Sequence, residues 1–305
     1  MPRVVIIGER GSGKTTFLGL LYAAQVKSGT DARDDFRFHV TYESLDEITE
    51  VFQQLMSGSF PDAASKEGIH EIRFHLSYGR AGGFLSRLRS RGSAPGEAAS
   101  FHFILLRNLE GELSPFRRGT SGTNGKLRDI LDTDAIAILV DCTGLALSHE
   151  ERAAGSMGKY DTAVESLLST IQRSRSRDLR SVLSPIFVFS KFDSVRPEAL
   201  RAADVESEPP GISKAGPRSA YARALLSYNL PKTMAKIGVR EARGLKFATP
   251  SYWFSWVHTD GAAQGRASKV RLRRSGAVGW EPDYSKDEYT ALLDSLRTIA
   301  THAGR

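Results

Sequence analysis

The chain opens with "MPRVVIIGERGSGKTTFLGLL", and no other stretch restricts its folding as much as the eight residues Gly8–Thr15. Before them stands the β-branched run Val4–Ile7, read as a short buried strand. After them "KTTFLGLLYAAQV" repeats apolar residues at helical spacing. The pattern G-x-x-x-x-G-K-[ST] between a strand and a helix builds an anion cradle, because glycines let successive backbone N–H groups curl inward and the helix start adds its dipole. Gly8, Gly11, Ser12, Gly13, Lys14, Thr15 and Thr16 form the expected cradle for a nucleotide's phosphates. Within it Lys14 is assigned to the β- and γ-phosphates and the Thr15 hydroxyl to Mg²⁺.

The base is addressed further along. "SPIFVFSKFDSV" is a second buried strand, and its end carries Ser190-Lys191-Phe192-Asp193. This tetrapeptide resembles the base-reading [NT]-K-x-D element of Ras-like GTPases. An aspartate there accepts hydrogen bonds from the N1–H and exocyclic amine of guanine, a donor pair that adenine lacks. The resemblance implies that Lys191 lays its aliphatic stem along the base. It also implies that Ser190, in the usual Asn or Thr place, ties this turn to the glycine loop.

Between the two motifs the Ras-like pattern has D-x-x-G at a strand end, with the Asp holding Mg²⁺ through water and the Gly amide sensing the γ-phosphate. Here the strand "SFHFILLRNL" gives Asn108-Leu109-Glu110-Gly111, so Asn108 stands at the metal-side position and Gly111 is retained. The next residue is Glu112, where many small GTPases carry the glutamine that orients the attacking water. The strand "AIAILVDCT" ends in Asp141, similar to the "VVD" ending of Arf-like members. In a sheet ordered as in the ATPase branch, Asp141 would instead be the Mg²⁺-side carboxylate.

Together these motifs resemble the Ras/Arf-like branch of P-loop GTPases (the TRAFAC class) and, more loosely, the large bacterial double-GTPase-type proteins. The likeness extends through about residue 195. It implies an α/β fold: a P-loop NTPase three-layer sandwich whose mostly parallel sheet holds one antiparallel strand. It also implies GTP/GDP and Mg²⁺ as cofactors, slow hydrolysis, and a protein effector that reads the switch loops, another GTPase among the candidates. Arg10, in the glycine loop, is the candidate cis arginine beside the γ-phosphate, with Arg117 and Arg118 as further candidates. Because Asn108 and Glu112 both depart from the catalytic pattern, a nucleotide-binding pseudo-GTPase scaffold is the alternative, as is a P-loop ATPase or kinase using Asp141.

Two elements of the family pattern are less marked. Ser65, just before the strand Ile69–Tyr78, is the candidate switch I hydroxyl for Mg²⁺, with Thr41 competing. Beside the base the family has a Ser-Ala-like loop, and "SYWFSWVHTDG" offers Ser255 or the stretch His258–Gly261.

At 305 residues the chain exceeds a minimal GTPase, and one domain over 1–305 is expected, with insertions near 79–99 and 196–220. The first, rich in Gly, Ser and Ala with Arg80, Arg87, Arg89 and Arg91, reads as a basic hairpin tip; the second, rich in Pro and Gly, reads as a surface loop. "AYARALLSYNLPKTMAKIG" reads as a helix interrupted by Pro231, and "KDEYTALLDSLRTIATHAG" as an amphipathic helix with Tyr289, Leu292, Leu296 and Ile299 on one stripe.

A net charge of +7 suits an anionic partner such as nucleic acid or a lipid surface; the run Arg266, Lys269, Arg271, Arg273 and Arg274 with Trp280 nearby reads either as a charged face exposed to water or as a place to hold RNA. The single cysteine, Cys142, excludes an intrachain disulfide. Val4–Ile7 is too short for a signal peptide's apolar region and no stretch reaches membrane-spanning length, so a cytoplasmic location is expected. No two of the seven histidines stand at H-x-x-x-H spacing.

Overall fold

The computed structural model describes residues 2–28, 36–40, 42–61, 69–78, 98–106, 125–175, 181–239, 241–242, 245–261, 268–275 and 279–303. At its centre lies β1 (Arg3–Gly8), buried on both faces because Val4 and Ile6 point to one side and Val5 and Ile7 to the other. A near-continuous β-branched run is what a parallel strand covered by helices on both faces requires. It pairs in parallel with β4 (Ala98–Leu106) and with β5 (Ala135–Asp141); β5 continues in parallel to β6 (Ser181–Ser190).

Two short strands share the outer edge of β6: β8 (Leu245–Phe247) along its first residues and β9 (Ser251–Phe254) along its last. Pro185 sits where one partner ends and the other begins. Ser184 donates its N–H to Asp134 on the β5 side, so the donor that Pro185 lacks would have faced the gap between β8 and β9.

The expected antiparallel strand is β3 (Ile69–Tyr78), hairpin-paired with β4. The sheet also extends further than expected. β2 (Phe36–Val40) adds an edge beyond β3, and the two-residue β7 (Glu241–Ala242) runs antiparallel to β8, making a second antiparallel strand. The full order is β2-β3-β4-β1-β5-β6-β8-β7, with β9 off that path on β6. A parallel sheet whose glycine-loop strand lies directly between β4 and β5, covered on both faces, is the P-loop NTPase three-layer sandwich.

One face of the sheet is covered by α5 (Ser156–Ser174), α7 (Ala215–Asn229) and α8 (Pro231–Gly238); the other by α1 (Lys14–Ser28), α2 (Tyr42–Met56) and α9 (Lys286–Ala303). On α9, Tyr289, Leu292 and Leu296 are buried and Ile299 half-buried, as its apolar stripe predicts. The break at Leu230 is stabilised from α5: Asp161, itself buried, accepts from the N–H groups of Lys232 (2.9 Å) and Thr233 (2.8 Å) at the start of α8. The smaller helices are α3 (Gly125–Leu131), α4 (His149–Ala154) and α6 (Pro197–Ala202).

The segment 196–220 is less loop-like than its composition suggested. Pro197 occupies the first turn of α6, where its missing N–H costs nothing, and Ala199 and Leu200 are buried. Beyond β9 the chain forms two small hairpins, β10 (Thr259–Asp260) with β11 (Lys269–Val270) and β12 (Leu272–Ser275) with β13 (Gly279–Pro282). Here the basic run is partly neutralised: Arg271 pairs with Asp260 (3.2 Å), and Arg273 with Glu281 (3.2 Å) and Asp283 (3.9 Å). Trp280 is exposed across from Arg274. Among the described residues no helix is long and apolar enough to cross a membrane.

Candidate nucleotide site

The strand registers bring four loops to one end of the sheet. Gly8 is level with Leu139, Asp141 with Ser190, and Phe189 with Phe254, so the loops following β1, β5, β6 and β9 emerge side by side at the carboxyl ends of parallel strands. That edge is where open α/β sheets bind ligands.

The glycine loop has the shape of an anion cradle. Gly11 and Gly13 have φ of 81° and 83°, the left-handed region that residues with a Cβ adopt only at a cost. A Cβ at either would meet nothing within 4 Å, so it is the backbone conformation and not lack of space that calls for glycine there. Gly8 answers a different need, since a Cβ there would lie 2.4 Å from Ser12 Oγ and 3.1 Å from Leu139 Cβ. The loop closes through Ser12 N–H to Glu9 O (3.2 Å), and α1 begins with Phe17 N–H on Gly13 O (2.7 Å).

Lys14, nearly buried, lays its ammonium across the loop mouth and donates to Gly8 O and Glu9 O, both at 2.8 Å. Thr15 and Thr16 are half-buried on the first turn, and Arg10 is exposed at the crest. Ser12 Oγ is buried without a hydrogen-bond partner. A glycine loop at the start of a helix, with left-handed Gly11 and Gly13 and the Lys14 ammonium drawn up to its carbonyls, has the features that hold a polyphosphate.

At the end of β6 each residue of the Ser190–Asp193 turn has a distinct setting. Ser190 was expected to tie the turn to the glycine loop. Instead its Oγ donates to Val140 O (3.3 Å), because the register places it against the last residues of β5. Lys191 adopts φ 54° and ψ 39°, and its ammonium pairs with Asp141 at 2.6 Å. Phe192 is buried edge-on to Phe254 (centroids 4.9 Å) and Tyr221 (6.4 Å), and its N–H donates to Ser255 O (3.0 Å). Asp193 is thereby turned outward, with Ser194 Oγ on its carboxylate (3.4 Å). Partial burial pushes its carboxyl pKa up, opposed by its own backbone amide, by His258 and by Ser194.

Asp141 is engaged on both oxygens. Oδ1 accepts from Thr143 N (3.0 Å) and Thr143 Oγ1 (2.7 Å), while Oδ2 holds Lys191. A carboxylate committed in this way fits a structural clamp better than the metal-side role of the ATPase ordering. Beside it Cys142 is buried, and burial raises its thiol pKa well above the ordinary value. Among the described residues no group of three or more His, Cys, Asp and Glu side chains is placed to hold a metal ion.

The loop after β9 lies against this turn, but the Ser255 hydroxyl is not presented to it. Ser255 is buried, with Oγ 2.6 Å from Tyr289 OH, since alternation along β9 turns it toward α9. The following residues form the outer rim: Trp256 stacks on His258 (4.4 Å), whose Nδ1 contacts Asp283 Oδ2 (2.8 Å).

Neither a protein-family model nor a curated protein sequence matches this chain. Among solved structures it is similar to the signal recognition particle receptor SRb-GTP/SRX complex from Chaetomium thermophilum, at 13% identity over 83% of this chain and 90% of that one, with a TM-score of 0.35. It is also similar to the GTPase-like domain of S. cerevisiae Ski7. The structure bound to GDP and inorganic phosphate gives 13% identity over 82% of this chain and 43% of that one (TM-score 0.33). The structure bound to GTP gives 12% over 82% and 42% (TM-score 0.30). Similarity this slight adds nothing to what strand order and loop geometry establish.

Ser65 and Thr41, Asn108, Gly111 and Glu112, Arg117 and Arg118, the basic hairpin tip with Arg80 to Arg91, and Arg266 all lie outside the described residues. Two groupings were not anticipated from the sequence. One is the Asp141–Lys191 pair. The other is a buried ion pair between Arg218 on α7 and Glu288 on α9, which closes the free edge of β9: Arg218 Nε donates to Tyr252 O (3.2 Å) and Glu288 Oε2 accepts from Phe254 N (3.1 Å). No periodicity signals either, because the partners are 50 and 70 residues apart.

Proposed function

We propose that this protein is a guanine-nucleotide-binding switch that hydrolyses GTP slowly and signals to a protein partner. The observation that carries this is that the Lys14-guarded glycine loop and the Ser190–Asp193 turn, which leaves Asp193 exposed, leave the same end of the sheet from strands separated only by β5. The loop amides and Lys14 hold the β- and γ-phosphates, and the Asp193 carboxylate accepts the two edge donors of guanine. The Thr15 hydroxyl, with Asn108 and the switch I hydroxyl Ser65 in support, would hold Mg²⁺, which would supply positive charge against the phosphates. Both oxygens of Asp141 being engaged favours this reading over an ATPase or kinase that uses Asp141 for metal.

Turnover in this class rests on positioning and charge, with a water-orienting group and an arginine supplying most of the acceleration. Asn108 brings no negative charge to the metal; Glu112, if it points at the γ-phosphate, brings like charge there, and if it points away leaves no water-orienting group. Arg10, exposed at the loop crest, is the available cis arginine. These departures also favour a second reading, a pseudo-GTPase scaffold that binds guanine nucleotide without turnover.

Single-turnover GTP hydrolysis over a range of Mg²⁺ concentrations separates the two. The switch reading expects a rate of about 10⁻⁴ to 10⁻³ per second, that of an unassisted Ras-like protein. No measurable turnover supports the scaffold. A rate near one per second without a partner contradicts both.

A further inference from the structure

We propose that Asp141 is the positioning residue of the base platform: it clamps the Lys191 ammonium so that the lysine stem is laid out before a guanine base arrives. This rests on the guanine-nucleotide reading above. The pair is close (2.6 Å) and unequally exposed, the Asp141 side chain at 12% and Lys191 at 40%. Thr143 holds the other Asp141 oxygen through both its amide and its hydroxyl, so the carboxylate cannot rotate away from the lysine. Register adds to this: Asp141 and Ser190 are paired neighbours, making Lys191 the first residue beyond the sheet on its strand.

The backbone is fixed as well. Lys191 lies in the left-handed region at φ 54°, unfavourable for a residue with a Cβ, and the next residue is anchored by its buried ring and by its N–H on Ser255 O. Head, backbone and following residue are therefore all held, and the aliphatic stem between them has little freedom left. The lysine end of the pair stays in contact with water, so the pair's contribution to stability is discounted and its consequence is sought in binding. A free lysine stem would lose its rotamer freedom when a base packs on it; a clamped one has already lost it. The clamp also occupies the ammonium, which would otherwise be free to pair with Asp193, two residues on, and compete with the base edge.

The test is a double-mutant cycle of Asp141→Asn and Lys191→Met, with GDP and inosine diphosphate affinities measured by calorimetry and unfolding midpoints recorded for each protein. Asparagine keeps the Thr143 contacts but loses the charge, and methionine keeps an apolar stem but loses the head. Asp141→Asn should weaken GDP and inosine diphosphate equally, by roughly five- to tenfold, because the platform ignores the exocyclic amine. In the Lys191→Met background the same change should alter affinity by less than about twofold. An undiminished effect of Asp141→Asn in that background, or a loss matched by a lowered unfolding midpoint, would make the pair merely structural. Wild-type affinity in Asp141→Asn overturns the clamp and leaves the guanine reading standing; a wild-type protein that binds neither nucleotide overturns both.

Discussion

Removing Glu288 should be the most damaging single change around the base-reading edge. Arg218 is buried, with its guanidinium 4.6 Å above the Phe254 ring, and it donates to Pro210 O (2.9 Å), Tyr252 O (3.2 Å) and the Glu288 carboxylate. Glu288→Ala leaves a cation that cannot shed its proton and a strand amide, Phe254 N–H, with no acceptor. Breaking one half of a buried pair costs about 3–5 kcal/mol. The lower half of that range applies, because Arg218 keeps two carbonyls and a ring, and because Glu288 itself pays for burial. That burial, outweighing Arg218, raises the Glu288 carboxyl pKa above its ordinary 4.5.

The folded state therefore binds that proton more readily than the unfolded chain. The contribution of Glu288 to stability falls as pH rises from 4.5 through its folded-state value and is level above it. Urea unfolding at neutral pH should show Glu288→Ala less stable by about 3 kcal/mol with an unchanged denaturant slope. Glu288→Gln, which can keep both hydrogen bonds, should lose less and should flatten the acid-side slope. A loss under about 1 kcal/mol for Glu288→Ala would refute the claim that this pair closes the β9 edge.

Two changes probe the site itself. Asp193→Ala should weaken GDP binding by more than about 2 kcal/mol while hardly changing ATP binding, since it leaves two guanine donors unpaired. Because partial burial raises the Asp193 carboxyl pKa, wild-type GDP affinity should begin to fall at a higher pH on acidification than an ordinary aspartate would allow; calorimetry from neutral to acid pH checks both. Lys14→Ala should abolish tight binding of GDP and GTP, because it removes the ammonium held against Gly8 O and Glu9 O, and wild-type affinity in a titration would make the loop structural.

What could be read from the sequence was what local chemistry compels. Gly11 and Gly13 stand where the backbone must turn left-handed, and "VVII" and "AILV" are apolar without alternation because both faces are covered, so the loop and the central strands were legible. The stripe of Tyr289, Leu292 and Leu296 was legible for the same reason. What escaped depends on partners far apart in the chain. Asp141 announced itself as a carboxylate at a strand end, but whether it faces a metal or an ammonium is decided by the register of β5 against β6. Ser190 and Ser255 carry the expected residue types, yet strand alternation turns their hydroxyls to Val140 O and Tyr289 OH. Pro197, read as a loop former, begins a helix because it falls on a first turn. Arg218 lay in a stretch whose glycines and prolines masked the start of α7, and nothing in that stretch points to Glu288.

The central claim is that the turn after β6 reads guanine above a phosphate cradle. Competition of GTP and ATP for the wild-type protein, in the presence of Mg²⁺ and with a fluorescent GDP analogue as reporter, tests it directly. The account predicts displacement by GTP at concentrations at least a hundredfold below those of ATP, the separation expected when buried recognition groups are left unpaired by the wrong base. Equal displacement by the two nucleotides would contradict it.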